Sequence, residues 1–311
     1  MISGEQSDKK TGYLFAMLGG MCWALAGVCG QYLFQSKAVT AEWLVPVRLV
    51  SAGVIILLVA CFRKGKGKAA IFSIWQDRNN IVPIFIFALV GTALCQYAFF
   101  ASISASNAAT ATFISYISPI FIMIYVVFRT KRIPARLELL SILLVIIGIF
   151  IIATHGNIDN LVISAQALIW GIISAASFAV YSIQPQRLMR KHDTLIVTGW
   201  GMLIAGAALF VLFKPWIYEV NYDLSVFLSL SVLVLFGTIL SYVFYLEGIK
   251  RVGATAGSLL SSVEPIVATL LSALWLGQHF AAFDFIGFAF ILIIPILLSR
   301  ESLTKADRAS R

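Results

Sequence analysis

Ten long apolar runs follow one another along almost the whole chain. They lie at residues 12–34, 43–62, 81–103, 107–128, 136–154, 164–186, 194–213, 225–246, 254–276 and 282–299. Each is about long enough to cross roughly 30 Å of hydrocarbon as an α-helix. The strands of a β-barrel would be about half as long and would alternate polar with apolar residues. The runs therefore predict an all-α integral membrane protein with ten transmembrane helices.

The composition agrees with a membrane protein and excludes several other classes. Apolar residues make up 60% of the chain and charged residues only 12%, whereas soluble domains are near half apolar and a quarter charged. A soluble enzyme, a disordered chain and a coiled coil are therefore excluded. The four cysteines, Cys22, Cys29, Cys61 and Cys95, lie inside apolar runs without metal-ligand spacing, which predicts small buried side chains rather than disulfides.

The positive charges indicate how the chain is oriented in the membrane. If ten helices cross, 20 of the 23 Lys and Arg residues fall in segments on the side that carries both termini. Only Lys37 and Lys214 fall on the opposite side, and Arg48 lies within the second run. The positive-inside rule then predicts a multi-pass protein of the cytoplasmic membrane with cytoplasmic N- and C-termini. The net charge of +9 is explained without a nucleic-acid partner.

The second half of the sequence repeats the first. The segment that begins at Gly91 aligns without a gap to the segment that begins at Gly237, 146 residues later, and Ser115 and Pro119 match Ser261 and Pro265. Trp23 and Trp170 open similar pairs in the first and sixth runs. Since each copy has five runs, the second copy enters the membrane from the opposite face. This predicts two inverted five-helix repeats, residues 1–155 and 160–311.

Inverted repeats are an architecture of transporters, in which two halves surround a central site and expose it to each side in turn. The alternative is a gene duplication whose symmetry has no function. The runs contain GGMCWALAGV, ALIWGIISAASFAVY, NAATATFISYISPIF and GATAGSLLSSVEPIVATLLSALWLGQHF. In these segments the chain resembles the EamA family of the drug/metabolite transporter superfamily. It departs from the family's usual Leu-Gly-Glu, having Leu276, Gly277 and Gln278 in one copy and Arg129, Thr130 and Lys131 in the other.

The resemblance implies a secondary transporter that moves small organic solutes, with export of amino acids or related metabolites as the leading expectation. An importer of a nucleoside, vitamin or nucleotide-sugar-like metabolite is the close alternative. An integral-membrane enzyme acting on a lipid precursor is an alternative of another class, but no paired carboxylates or histidines appear near one interface. A channel is a third class. The sequence leaves cargo, direction, coupling ion and oligomeric state (monomer or homodimer) open.

Two ionisable residues inside the runs are the leading site candidates. Glu264 lies near the middle of the ninth run, where a charged group is costly and indicates a function, so we expect it to bind substrate or carry a coupling proton. A structural carboxylate near Pro265 is the alternative. Arg48 lies about five residues inside the second run. It either extends to the interface or binds a substrate carboxylate or Glu264.

Polar and aromatic residues recur inside the other runs and complete the predicted substrate site. They are Trp23, Gln31, Gln96, Tyr97, Ser115, Tyr116, Trp170, Tyr181, Tyr242, Tyr245 and Ser261. Such groups suit an amphipathic solute, although serines and glutamines also bond packed helices together. Pro119 and Pro265 each remove a helical hydrogen bond and are predicted hinges.

Several motifs are absent from the sequence. No Walker A motif or Gly-x-Ser-x-Gly elbow is found, and His155, His192 and His279 lie at run ends or in loops. We therefore expect no enzyme activity, no catalytic residues, no metal and no cofactor. The expected partners are a small-molecule substrate and membrane lipids.

Overall fold

The computed structural model describes residues 2–62, 71–131, 133, 136–155, 163–253, 256–257, 260–261 and 263–293 of the chain. The regular structure of these residues is helical and contains no strand, as the apolar runs predict. The long helices are α1 (Ile2–Lys37), α2 (Ala41–Phe62), α3 (Arg78–Ser104), α4 (Ala108–Thr130), α5 (Arg136–Thr154), α6 (Ala165–Met189), α7 (Thr194–Phe213), α8 (Leu224–Val252), α9 (Val263–Leu276) and α10 (Ala282–Ile293).

Seven of these helices are long and apolar enough to cross a membrane, counted over the described residues. They are α1 from Lys10 onward, α2, α3, α4, α6, α7 and α8. Shorter apolar helices occupy the fifth, ninth and tenth runs, over Ile142–Thr154, Val263–Leu276 and Ala282–Ile293. The protein is therefore a multi-pass helical membrane protein, and the count of ten crossings stays a prediction.

Three antiparallel helix pairs build the centre of the molecule. In α1 and α8, Gly19 lies against Tyr245 and Ala26 lies against Gly237, so one helix ascends as the other descends. In α3 and α6, Gly91 contacts the backbone of Tyr181. At their other ends the Ser102 hydroxyl donates a hydrogen bond to the Ala167 carbonyl at 2.8 Å.

The third pair, α2 and α7, has the closest backbone approach of the three. A Cβ atom added to Gly53 would lie 2.6 Å from the Leu203 nitrogen, and one added to Gly206 would lie 2.6 Å from the Val50 nitrogen. Because real Cβ atoms do not approach backbone so closely, only glycine fits at both positions. Small residues at helix contacts allow this packing in a membrane, where burial of apolar surface contributes little.

Three of the long helices are irregular near mid-length. In α3 the residues Phe87–Leu94 are π-helical, and in α8 the residues Leu235–Leu240 are π-helical. The α4 helix consists of Ala108–Ser115 and Ser118–Thr130, separated by a turn. The break lies at Tyr116 and Ile117, before Ser118 and Pro119. Pro119 has no N–H to bond the Ser115 carbonyl, and its ring crowds that carbonyl. The α9 helix begins two residues before Pro265. The hinge role of both prolines stays a prediction.

Candidate functional site

A cavity lies at the centre of the bundle, between α1, α2, α3, α4, α6 and α9. The empty space among its lining side chains is about 550 Å³, of which about 50 Å³ admits the centre of a water molecule, which is room for a few waters. The lining residues are Trp23, Ala26, Arg48, Cys95, Gln96, Phe99, Phe100, Thr112, Ser115, Tyr116, Ser118, Ser174, Phe178, Ser261 and Glu264. The predicted residues Trp23, Arg48, Gln96, Ser115, Tyr116, Ser261 and Glu264 are among them.

Arg48 is the cation of this cavity and is completely buried. Its Nη2 donates a hydrogen bond to Gln96 Oε1, and its Nη1 donates one to Thr238 Oγ1 at 3.4 Å. The guanidinium carbon lies 4.2 Å from the centre of the Phe100 ring. Its Nε has no hydrogen-bond partner among the described residues. The guanidinium is thus held by neutral groups and an aromatic face, and its Nε–H is left without a partner among the described residues.

Two sequence-based interpretations of Arg48 are wrong. The side chain does not extend to the membrane interface, because it has no exposed surface. It also forms no ion pair with Glu264 or with any other described acidic residue. The neighbouring helices provide the reason, since α3 and α8 place an amide and a hydroxyl within reach of its Nη atoms. The interpretation that remains is binding of a substrate anion.

Glu264 also lines the cavity and lies in the first turn of α9. Its backbone nitrogen donates to the Ser261 carbonyl at 2.9 Å, whereas its carboxylate has no hydrogen bond or ion pair within the described part of the chain. A carboxylate is favoured near the N-terminus of a helix, where the backbone dipoles are positive. The described lining of the cavity therefore holds one cation and one anion that are not bonded to each other.

The two broken helices contribute the neutral polar wall of the cavity. Tyr116 and Ser261 are both buried, and their hydroxyl oxygens are 3.3 Å apart. Ser115 also lines the cavity, and its buried hydroxyl has no partner among the described residues. This wall lies beside the turn within α4 and beside the turn at Ser261 that precedes α9, so backbone irregularity coincides with the cavity. Irregular backbone inside a membrane protein is tolerated where it lines such a space.

An aromatic cluster forms the floor of the cavity. Trp23 packs edge-on against Phe178 and Tyr242, with ring centres 5.7 Å and 5.6 Å apart, and lies 4.8 Å from Tyr245. Tyr181 stands 5.3 Å from Tyr242 in the same cluster. The Trp23 Nε1 has no partner among the described residues. The predicted Tyr181, Tyr242 and Tyr245 thus support Trp23 from behind and do not line the cavity.

Tyr97 and Trp170 lie outside this cavity, and their contact with a substrate stays a prediction. Their rings meet edge-on with centres 5.4 Å apart, and the Tyr97 hydroxyl donates to Glu42 Oε1 at 2.9 Å. Neither residue lines the cavity. Although Trp170 matches Trp23 in the repeat, the α6 aromatic residue that packs edge-on against Trp23 in the cavity lining is Phe178. Trp170 lies about two helical turns earlier on α6.

Gln31 also lies outside the cavity, where it holds helix ends together. Its Oε1 accepts a hydrogen bond at 2.8 Å from the backbone nitrogen of Ala108, the first residue of α4. Its Nε2 lies 3.3 Å from Gln35 Oε1 and 3.4 Å from Gln278 Oε1. Gln31 shares a helix face with Trp23, but the site ends before reaching it because α4 begins there.

Sequence reasoning missed several lining residues. Phe99, Phe100 and Phe178 are aromatic residues that apolar runs contain in number, so nothing in the sequence distinguishes them. Ser118, which the sequence offers beside Ser115 and Tyr116 in the fourth run, also lines the cavity, and it aligns with Glu264 at the repeat offset of 146 residues. Both lie in first turns, directly before Pro119 and Pro265.

Comparison with known proteins agrees with this architecture. The model of the EamA-like transporter family matches the chain twice, over residues 10–154 and 165–300. The chain belongs to the EamA-like transporter family. An inner membrane transporter of Salmonella typhimurium, YicL, is 35% identical over 96% of this chain and 99% of its own. The transporter YcbK of Bacillus subtilis is 23% identical over 92% of this chain and 93% of its own.

A solved crystal structure shares the fold of this EamA-like chain. It superposes with a TM-score of 0.64 and covers 95% of this chain and 98% of its own, at 19% sequence identity. Family and relatives together identify a transporter, and the cavity described above is its candidate solute site.

Proposed function

We propose that the protein is a secondary transporter that moves amino acids or related small metabolites across the cytoplasmic membrane by alternating access. The observation that carries this proposal is the central cavity with a buried, unpaired Arg48 and a separate Glu264 in its wall. Burying a lone charge costs several kcal/mol unless a partner of opposite charge completes the site. A bound solute that carries charge is such a partner.

The cavity suggests how the solute is held. The free Nε of Arg48 and its neighbouring Nη atom would donate to a carboxylate, because a guanidinium recognises carboxylates through paired donors. Glu264 would accept from an ammonium group. Trp23, Phe99 and Phe178 offer an apolar wall for the remainder of the molecule. A single cation in the described lining disfavours the alternative cargo that carries several phosphates.

Several features support two inverted five-helix repeats within residues 1–155 and 160–311. The π-helical segments Phe87–Leu94 and Leu235–Leu240 contain the aligned pairs Gly91-Thr92 and Gly237-Thr238. The α1–α8 pair corresponds under the repeat to the α6–α3 pair, and both are antiparallel. Ten crossings with both termini cytoplasmic follow from this arrangement.

The name of YicL as an inner membrane transporter supports the cytoplasmic membrane as the location.

Alternating access requires the two halves to rock about the cavity. The interruptions before Pro119 and Pro265 are the points where α4 and α9 would bend, and both border the cavity. Glu264 would take up a proton on one side and release it on the other, which would couple solute export to proton entry. This assignment of direction follows the family resemblance.

The test begins with purified protein and a thermal-shift screen against amino acids, polyamines, nucleosides and vitamins. A ligand at about 100 times its Kd stabilises a protein by about 2.7 kcal/mol, so the cargo class is expected to stand out. Flux of that compound into proteoliposomes is then measured with and without a pH gradient. We expect pH-driven flux from the native chain and none from Glu264→Gln, which keeps the shape of the side chain.

The matched control is Glu42→Gln, since Glu42 bonds Tyr97 away from the cavity and its loss is expected to leave the pH dependence unchanged. Normal pH-driven flux in Glu264→Gln would overturn the coupling assignment. Absence of any binding or flux for the whole compound set would overturn the transport proposal. Unitary currents in a planar bilayer would identify a channel instead of a carrier.

A further inference from the structure

Two lysine–aspartate ion pairs connect the two halves of the chain. Lys37 Nζ lies 2.5 Å from Asp223 Oδ2, and Lys191 Nζ lies 3.4 Å from Asp77 Oδ2. In the first pair the lysine comes from the first half and the aspartate from the second. The second pair is the reverse. Each pair therefore bridges the two halves that alternating access moves.

The two aspartate carboxylates have the same arrangement of hydrogen bonds. Asp223 precedes α8, and its Oδ1 accepts from the Val226 nitrogen at 2.8 Å. Asp77 precedes α3, and its Oδ1 accepts from the Asn79 nitrogen at 3.0 Å. In each carboxylate one oxygen caps the helix and the other oxygen binds the lysine. These hydrogen bonds keep the pKa of both aspartates below the ordinary value, mainly through Lys37 at Asp223 and through the Asn79 backbone at Asp77.

The repeat relates one pair to the other. Asp77 and Asp223 are 146 residues apart, which is the offset that aligns Gly91 with Gly237. Lys37 is the last residue of α1, and Lys191 comes two residues after the end of α6. Since α6 repeats α1 and α8 repeats α3, each aspartate meets a lysine close to the end of the corresponding helix of the other half, although Lys191 lies eight residues beyond the repeat equivalent of Lys37.

The two pairs lie at opposite ends of the bundle. Gly30, near the end of α1, packs against Phe100, near the end of α3. Lys37 therefore lies at the end of the bundle where α3 finishes, whereas Asp77 lies before α3 begins. One ion pair lies at each end of the bundle, and the cavity lies between them.

We propose that the Lys37–Asp223 and Lys191–Asp77 pairs are reciprocal latches, each closing one mouth of the cavity and opening in alternation. The idea rests on the proposed alternating access and adds the contacts that control it. Both pairs are partly exposed, with side-chain exposures of 23% and 43% for Lys37 and Asp223 and of 52% and 37% for Lys191 and Asp77. Exposed pairs are weak, so either latch can break as the halves rock, while the intact one keeps its mouth shut.

The experiment uses Cys95, which lines the cavity, as a reporter of access. Cys22, Cys29 and Cys61 are changed to serine, and the rate at which a small charged thiol reagent modifies the remaining thiol is measured in right-side-out and inverted membrane vesicles. A second reporter, Ser115→Cys in a variant without other cysteines, reads the opposite wall. The lysines are changed rather than the aspartates, because the aspartates cap helices.

We expect Lys37→Gln to raise the modification rate about two- to fivefold from the Lys37 side, as the loss of a weak exposed pair allows. Lys191→Gln is expected to raise it from the other side, and Lys37→Arg to leave it unchanged. The matched controls are Lys214→Gln and Lys131→Gln, which remove exposed lysines that form no ion pair among the described residues.

Equal rates in all variants with both reporters would overturn the proposal, as would increases from the same side for both lysines. These results are separate from the transport test. If the protein transports its solute but the modification rate of the reporter thiol does not depend on the two lysines, only the latch proposal is contradicted. If the modification rate depends on the lysines but the protein binds no solute, only the proposed function is contradicted.

Discussion

The cost of burying the Arg48 charge distinguishes a role in ligand binding from a role in stabilising the fold. Its charge is fully buried, and only neutral groups and a ring surround it. Such a charge costs the free protein stability, because replacing buried charges by apolar groups is often neutral or stabilising. A residue that costs stability while its free donor reaches an open cavity is better explained by a ligand than by the fold.

We predict that Arg48→Met leaves the thermal stability unchanged or raises it, and abolishes the shift caused by the cargo. Thermal unfolding with and without the compound found in the screen measures both. Gln31→Ala is the matched control, because we expect it to lower the thermal stability and to keep the shift caused by the cargo. It leaves the buried Ala108 nitrogen unpaired, which costs about 1–3 kcal/mol, and it preserves the ligand-induced shift. A large loss of stability in Arg48→Met would mean that Arg48 is structural.

At the scale of helices, the α2–α7 contact depends on two glycines. Gly53 faces the backbone of Leu203, and Gly206 faces that of Val50. The helices belong to different halves, so this contact is part of the interface between them. It packs directly behind Arg48, which lies on the same helix, and any separation of α2 from α7 would displace the guanidinium.

We predict that Gly53→Val destabilises the protein by about 1–3 kcal/mol, the usual cost of overpacking a close contact. Thermal unfolding in detergent checks this. Val54→Leu is the matched control, because Val54 is exposed on the next position of α2 and is expected to have no effect. Equal stability of the two variants would contradict the close packing of α2 on α7.

At the scale of the whole molecule, the orientation in the membrane rests on charge and on the alternation of helices. Lys131 and Lys214 are exposed, and each ends a helix in the left-handed conformation, with φ of 50° and 49°. They are equivalent in local structure and are expected on opposite faces. This makes them a matched pair for a test of topology.

We predict that, without other cysteines, the Lys214→Cys variant reacts with an impermeant maleimide in intact cells, whereas the Lys131→Cys variant reacts only after permeabilisation. The physical reason is the excess of lysine and arginine on the cytoplasmic side. The reverse labelling would invert the orientation, and labelling of both in intact cells would contradict the count of crossings between them.

The sequence by itself determined the helical membrane class, the order of the helices and the duplication, because these depend on run length and on periodic burial. It also identified Arg48 and Glu264, since a charged residue inside an apolar run stands out from its neighbours. It could not say which polar residues meet. Gln31 shares a helix face with Trp23, and only the start of α4 beside it shows that Gln31 caps a helix.

Only the tertiary structure decided the boundary of the cavity and the partners of its charges. Arg48 meets Gln96 and Thr238 rather than Glu264, and Phe178 rather than Trp170 stands beside Trp23. The cross-half pairing of Lys37 with Asp223 has the same origin. These contacts join residues far apart in the chain, and they depend on how helices cross and rotate, which a pattern along one helix does not encode.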